Sequence, residues 1–166
     1  MTTRRDALIL GLMSGAAGLT SLQSAAADTA CSAEAVAAAS ALLDQYVEAM
    51  NAHDTSNFPK LFTESYIQHS GRSRSGLAAQ IELFKKIFAA TPDHHMQVED
   101  RIIAGDKVVA RTTHTATHTH IFRGFPPTGK QFSYRTIDIW RLDNGKFAEH
   151  WDITDAEDVL RQLSPG

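Results

Sequence analysis

One cysteine, Cys31, is all the chain has, so no internal disulfide can staple the fold even in an oxidising compartment. A basic run is also missing. Sixteen lysines and arginines against 19 acidic residues leave a formal charge of −3, and a mildly acidic chain of this kind is a poor partner for nucleic acid. Repeats and low-complexity tracts are absent after the first residues, and no apolar run there reaches the ~20 residues of a membrane-spanning helix. What remains, 43% hydrophobic and 21% charged over 166 residues, is ordinary for one globular domain.

The front of the chain departs from that texture. "TRRDALILGLMSGAAGLTSLQSAAADTA" carries the twin arginines Arg4 and Arg5, an apolar stretch from Ala7 to about Leu19, and small residues around Ala25-Ala26-Ala27. Together they predict an export signal over residues 1–27, too short and too rich in Gly and Ser for a membrane span. The arginine pair with Leu8 nearby points to the twin-arginine route, which exports folded proteins, and so to the periplasm. A lipoprotein is disfavoured, because Asp28 stands where a lipobox before Cys31 would carry leucine. The mature part, residues 28–166, would keep 14 basic and 18 acidic side chains, a net −4.

Beyond the signal, "SAEAVAAASALLDQYVEAMNAHD" predicts an amphipathic helix ending near Asn51, with Val36, Ala39, Leu43, Tyr46, Val47 and Met50 at helical spacing. "DTSNFPKLFTE" predicts a short helix capped by Asp54 or Thr55, with Phe58, Leu61 and Phe62 inward. "SYIQHS" is a short strand, and "LAAQIELFKKIFAAT" a third helix with Ile81, Phe84 and Phe88 on its stripe. After Pro92 the period becomes two. "HMQVEDRIIAG", "KVVARTTHTATHTHIF", "KQFSYRTIDIWRL" and "KFAEHWDIT" form four strands, and "DAEDVLRQL" a closing helix. Helices followed by an antiparallel meander give an α+β layer, the helices lying on one face of a curved sheet.

The last hairpin concentrates the chemistry. A two-residue Asn144-Gly145 turn would set Asp138 opposite Trp151 and put Ile137 and Ile139 on the face of His150 and Asp152. A three-residue Asp-Asn-Gly turn instead sets Asp138 opposite His150 and Thr136 opposite Asp152. Hydrophobic sorting favours the latter. It gathers Ile137, Ile139, Trp151 and Ile153 on one face and Phe132, Tyr134, Asp138, Trp140, His150 and Asp152 on the other. Carboxylates against an aromatic wall suit acid–base work near neutrality. In "HTATHTHIF", His114, His118 and His120 fall on one face of an alternating strand, which leaves a metal cluster, an organic pocket or a polar edge open.

From Leu42 to Leu163 the chain resembles the SnoaL-like polyketide cyclase family, within the nuclear-transport-factor-2-like superfamily of cone-shaped folds. The resemblance rests on "YVEAMNAHD", "IQHS", "VVARTTHTATHTHIFRGFPPTGK", "IDIWRLDNGKFAEHWDITD" and "VLRQL". The family implies a pocket between helices and concave sheet, and ring closure by intramolecular aldol condensation without metal or organic cofactor. By position, Asp152 matches the carboxylate that takes the substrate proton. Asp138 falls where the family places an assisting group, often a histidine, and His69 and His118 match further pocket positions.

On this basis Asp152, Asp138, His118 and His69 are the expected catalytic residues. Tyr134, Trp140, His150, His114, Phe122 and Phe125 are expected to bind substrate, the last two as the rim of a stiff "FRGFPP" loop. Pocket lining by His118 with His114 displaces the metal reading, and no cofactor is expected. His120 is expected in solvent, with His53, His94 and His95 at the surface, while Arg111 is expected in a structural ion pair. The exported location departs from intracellular polyketide chemistry, so fold and site carry over further than substrate does. Alternatives are an isomerase or epoxide hydrolase on the same fold, or a periplasmic binder of an apolar small molecule. The apolar face of the hairpin predicts a homodimer or higher homo-oligomer.

Overall fold

The computed structural model describes residues 32–71, 73–121 and 125–164, so the expected export signal over residues 1–27, Cys31 and Phe122 lie outside the described residues. Helix α1, Ala33–Asn51, begins where the Ser32 hydroxyl accepts from the Ala35 amide at 3.1 Å, satisfying a donor that has no partner inside the helix. Its alanine-rich run favours helix, and Leu42, Leu43, Tyr46, Ala49 and Met50 are buried on one stripe. Helix α2, Phe58–Leu61, is a single turn with Pro59 near its start, shorter than the sequence suggests. Asp54 does not cap it; its carboxylate accepts from the Ser56 amide at 2.8 Å in a local turn. Strand β1, Phe62–Gln68, therefore starts earlier than expected, with Phe62 already paired to Phe147.

Helix α3, Leu77–Ala90, follows, then β2, His95–Ala104; β3, Lys107–Thr117; β4, Gln131–Asp143; β5, Lys146–Thr154; and helix α4, Ala156–Leu163. The five strands form one curved, unclosed sheet in the order β1-β5-β4-β3-β2. Strands β2 to β5 are an antiparallel meander, and β1 joins β5 in parallel. Stripes of α1, α2 and α3 meet the even-numbered side chains of β3 and β4 in the main core, which includes Tyr46, Phe58, Phe62, Val108, Trp140 and Phe147. Burial of side chains this large contributes about 1.5–3 kcal/mol each. A smaller cluster, Val159 and Leu163 of α4 with Ala116 and Phe132, closes one end. No helix among the described residues is long and apolar enough to cross a membrane.

The β4–β5 hairpin corrects the expected register. Asn144 and Gly145 both have positive φ, 49° and 73°, the signature of a tight two-residue turn, and Asp143 pairs with Lys146. A bulge then intervenes: Arg141 pairs with Glu149 but Leu142 with Phe147, leaving Ala148 as an extra residue. Phe147 and Ala148 are both buried, as an interrupted pleat requires. One inserted residue restores the face that the two-residue turn alone would have inverted. Asp138 consequently faces Asp152, and Trp140 faces His150. The sorting of faces is as expected, while the pairing is displaced by two residues.

Candidate functional site

Between α1, α3 and the concave face of the sheet lies a cavity of about 530 Å³. Its apolar wall comes from α3, where Leu83, Phe84, Ile87 and Ala90 face it, with Ile121 beyond β3. Its floor is the even-numbered face of the meander. Because β3, β4 and β5 stay in register there, side chains stand in rows across the sheet. Gln68, His150 and Trp140 make one row; Asp152 and Asp138 the next; Thr154, Thr136 and Thr112 the third; Tyr134, His114 and Met96 the fourth.

Of the residues expected to act, Asp138, Asp152, His150, His114 and Tyr134 line this cavity together. The side chain of Gln68 fixes His150. The Gln68 carbonyl accepts from the Ser70 amide at 3.1 Å, so its amide nitrogen is the atom 2.8 Å from His150 Nδ1 and donates to it. The imidazole proton then sits on Nε2, which donates to Asp138 Oδ1 at 2.9 Å. Trp140 stacks under the ring at 4.9 Å and 8°. The other Asp138 oxygen accepts from the Thr136 hydroxyl. Asp152, across from Asp138, accepts from the Thr154 hydroxyl at 3.3 Å.

The remaining expected residues stand elsewhere. Trp140 is buried beneath His150 and does not line the cavity, and its indole instead bonds Tyr66. His118 follows the end of β3, fully buried, its Nδ1 3.1 Å from the Thr128 hydroxyl. His69 lies on the opposite face of the sheet, stacked on Trp151 at 4.4 Å and bonded to Glu149 at 2.8 Å. The His69 imidazole and the Arg141 guanidinium hold the Glu149 carboxyl below the usual range. Phe125 is half-buried outside the cavity, and Phe122 is outside the described residues.

The histidine-rich segment is not one ligand face: β3 ends at Thr117, His114 and His118 are buried, and His120 is exposed. No group of three or more His, Cys, Asp or Glu able to hold a metal occurs among the described residues. His94 corrects an expectation: it is 3% exposed, not a surface residue, and its Nε2 lies 3.0 Å from His114 Nδ1. Half-buried His53 stacks on Phe88 at 5.0 Å and bonds the His94 carbonyl at 2.7 Å. Arg111 is paired to Asp100 as expected, at 2.7 Å.

Several cavity residues carried weaker signals in the sequence. Tyr46 was assigned to the helix stripe, where it belongs, but its ring also faces the cavity against Trp140 at 5.7 Å. Burial, reinforced by Asp138, holds its phenol well above the usual tyrosine range, so it stays protonated and able to donate. Gln68 was visible as the polar residue before His69 in "IQHS". Thr136 shares the parity of His114 and Asp138, the one clue to its place on the floor, and Thr112 lies beside it on the same sheet face outside the lining. Burial pushes His94 down to about 3, with neighbouring His114 and His53 adding to it, and His114 down to about 4 against a counter-pull from Asp138.

Residues 40–163 match the model of the SnoaL-like polyketide cyclases. Among solved structures, TsrD from Streptomyces laurentii superposes with a TM-score of 0.73 at 26% identity, covering 77% of this chain and 96% of that one. AclR from Streptomyces galilaeus, a proposed hydroxylase, gives 0.69 at 31% identity, covering 76% and 96%. IdmH from Streptomyces antibioticus, a proposed polyketide cyclase, gives 0.67 at 27%, covering 75% and 97%. Comparison with curated proteins yields no significant match.

Proposed function

This chain belongs to the SnoaL-like polyketide cyclase family, and we propose that its cavity performs cofactor-independent acid–base chemistry on a small carbonyl substrate, closing a ring by intramolecular aldol addition. The observation that carries this reading is the facing pair Asp138 and Asp152 on the floor of a cavity whose other wall is apolar apart from Lys86. The proposed hydroxylase and cyclase among its structural relatives support the general kind of chemistry.

In the proposed reaction Asp152 takes a proton from a carbon flanked by carbonyls. Asp138 is engaged on both oxygens, by His150 and by Thr136, which suits a group held ready to give or receive a proton at oxygen. As the new carbon–carbon bond forms, the attacked carbonyl oxygen takes a proton from protonated Asp138, so the C–H proton lost is balanced by the O–H gained. The Tyr46 phenol, kept protonated, is placed to donate to a developing enolate oxygen. His69 and His118, away from the cavity, have no part in it.

Deuterium uptake from D2O at the carbon between the carbonyls of a β-keto ester probe tests the proposal. Wild type should raise exchange above the buffer rate, and Asp152→Asn should cut that increment by ~10²-fold or more while keeping the fold. An undiminished increment in the variant would remove Asp152 as base. Failure of the wild type to accelerate exchange, with an apolar molecule retained in native mass spectrometry, would favour the binder.

A further inference from the structure

A continuous hydrogen-bonded chain crosses the floor of the cavity, from a histidine outside it to the acidic pair. His94 Nε2 meets His114 Nδ1 at 3.0 Å, and His114 Nε2 meets the Thr112 hydroxyl at 3.0 Å. Thr112 meets the Thr136 hydroxyl at 2.5 Å, and Thr136 bonds Asp138. His94 and Thr112 are buried and absent from the cavity lining, so neither can touch a substrate in it.

Proton counting leaves this chain two consistent states. Each threonine has one hydroxyl proton, and each neutral imidazole donates from one nitrogen and accepts at the other. With Asp138 a carboxylate, Thr136 donates to it, Thr112 to Thr136, His114 to Thr112 from Nε2, and His94 to His114 from Nε2. Every donor then points at Asp138. With a proton on Asp138 Oδ2, every bond reverses, and both imidazoles carry their proton on Nδ1. The side bond from His150 Nε2 to Oδ1 is the same in both states, because Gln68 fixes that ring.

We propose that His94, His114, Thr112 and Thr136 form a relay that loads and unloads the proton of Asp138. In one passage solvent water, reaching His94 Nδ1 on local opening, gives it a proton, and each group passes on the one it held. Thr136 delivers the last to Asp138 Oδ2, and no imidazole remains charged. Two of the four, His94 and Thr112, are positioning residues that act through Asp138; His114 and Thr136 also line the cavity. The depressed values of His94 and His114 agree with a route that works by exchange of tautomers rather than by buried imidazolium. At the far end, His94 Nδ1 is buried with no donor or acceptor among the described residues, so nothing there fixes its tautomer.

The groups around the relay are few. Tyr134 stacks on His114 at 4.6 Å, while His53, His95 and Asp93 act on His94. Asp138 is opposed by Asp152, bonded by His150, and coupled to Tyr46 and Tyr66. None of these enters the chain of donors between His94 and Thr136.

The role of this relay rests on the acid–base reading of the cavity, but its test uses no substrate. Histidine tautomers are read by 15N NMR on the labelled full chain at neutral pH, in wild type and in Asp138→Asn. In the variant the carboxamide oxygen must face the His150 donor, so its NH2 donates to Thr136 and imposes the reversed state. Wild type should show His94 and His114 with the proton on Nε2, and Asp138→Asn should move both protons to Nδ1 without charging either ring. Adding Thr112→Val should abolish the response at His94 and His114, and Thr112→Ser should restore it.

Identical tautomers in wild type and Asp138→Asn, or a response that survives Thr112→Val, would overturn the relay while leaving Asp152 untouched as base. If Asp138→Asn does not fold, the wild-type spectrum decides: opposed tautomers on His94 and His114 contradict the proposal, and Nε2–H on both rings supports it.

Discussion

His94 and His114 are two imidazoles held neutral in the interior, and that has a consequence for stability. Both have folded values below the unfolded one, about 3 and about 4 against 6.5. Between these limits the unfolded chain binds the extra protons and the folded protein does not, so stability rises with pH through the window. Their contribution is complete above about 6.5 and is lost as pH falls. By pH 4 each histidine costs on the order of 3 kcal/mol, from the ~1.4 kcal/mol of each pKa unit. Urea unfolding at pH 7, 5.5 and 4.5 should show this fall, and His94→Gln should flatten it relative to wild type. A variant as acid-sensitive as wild type would remove His94 as a source. In the sequence His94 follows Pro92-Asp93 and looks like loop surface, yet a tight turn follows α3: Thr91 donates to the Ile87 carbonyl at the helix end, and the His94 amide donates to the Thr91 carbonyl.

At the scale of elements, alternation made the faces of β4 and β5 legible but not their register. Ile137, Ile139, Trp151 and Ile153 sort to one side under any pairing that keeps parity, so hydrophobic pattern alone cannot separate registers two residues apart. The deciding feature, the bulge at Ala148, has no glycine to announce it; its sign is two consecutive buried residues, which only the packed strand reveals. The same argument makes opposite predictions for two small changes. Deleting Ala148 takes out the extra residue, so Leu142–Phe147 and Arg141–Glu149 become successive pairs and Asp138 still faces Asp152. Inserting one alanine after Ala148 adds a residue that no pair accommodates, and His150 and Asp152 would then turn to the outer face and Trp151 and Ile153 to the cavity. The insertion should lower the thermal midpoint and abolish exchange of the β-keto ester probe, while the deletion keeps exchange and Gly145→Ala costs only about 1 kcal/mol from its positive φ. A fully active insertion variant would show that this register does not set the site.

The face of the whole molecule opposite the cavity carries Ile102, Ile137, Ile139 and Ile153, exposed by 64%, 50%, 37% and 75%, with Trp151 between His69 and the Lys107 ammonium, 5.0 Å from its ring. Helices α1 to α3 pack on the other side and α4 closes one end, so no element among the described residues covers this surface. Several isoleucines on one sheet face exceed the scattered apolar residues normal for a soluble surface. We propose that two copies bury it sheet to sheet about a two-fold axis, each presenting the same patch to the other. The cavity lies on the far side and is complete within one chain, so association and chemistry should separate. Ile139→Glu would place a carboxylate in the centre of the contact, where an unpaired charge is costly to bury. Sedimentation should find wild type as a dimer at micromolar concentration and the variant shifted to monomer, with the exchange increment of the folded variant within about two-fold of wild type, as for a surface change remote from the site. A wild-type monomer would rule out this contact. A dimeric Ile139→Glu would move the interface to another surface.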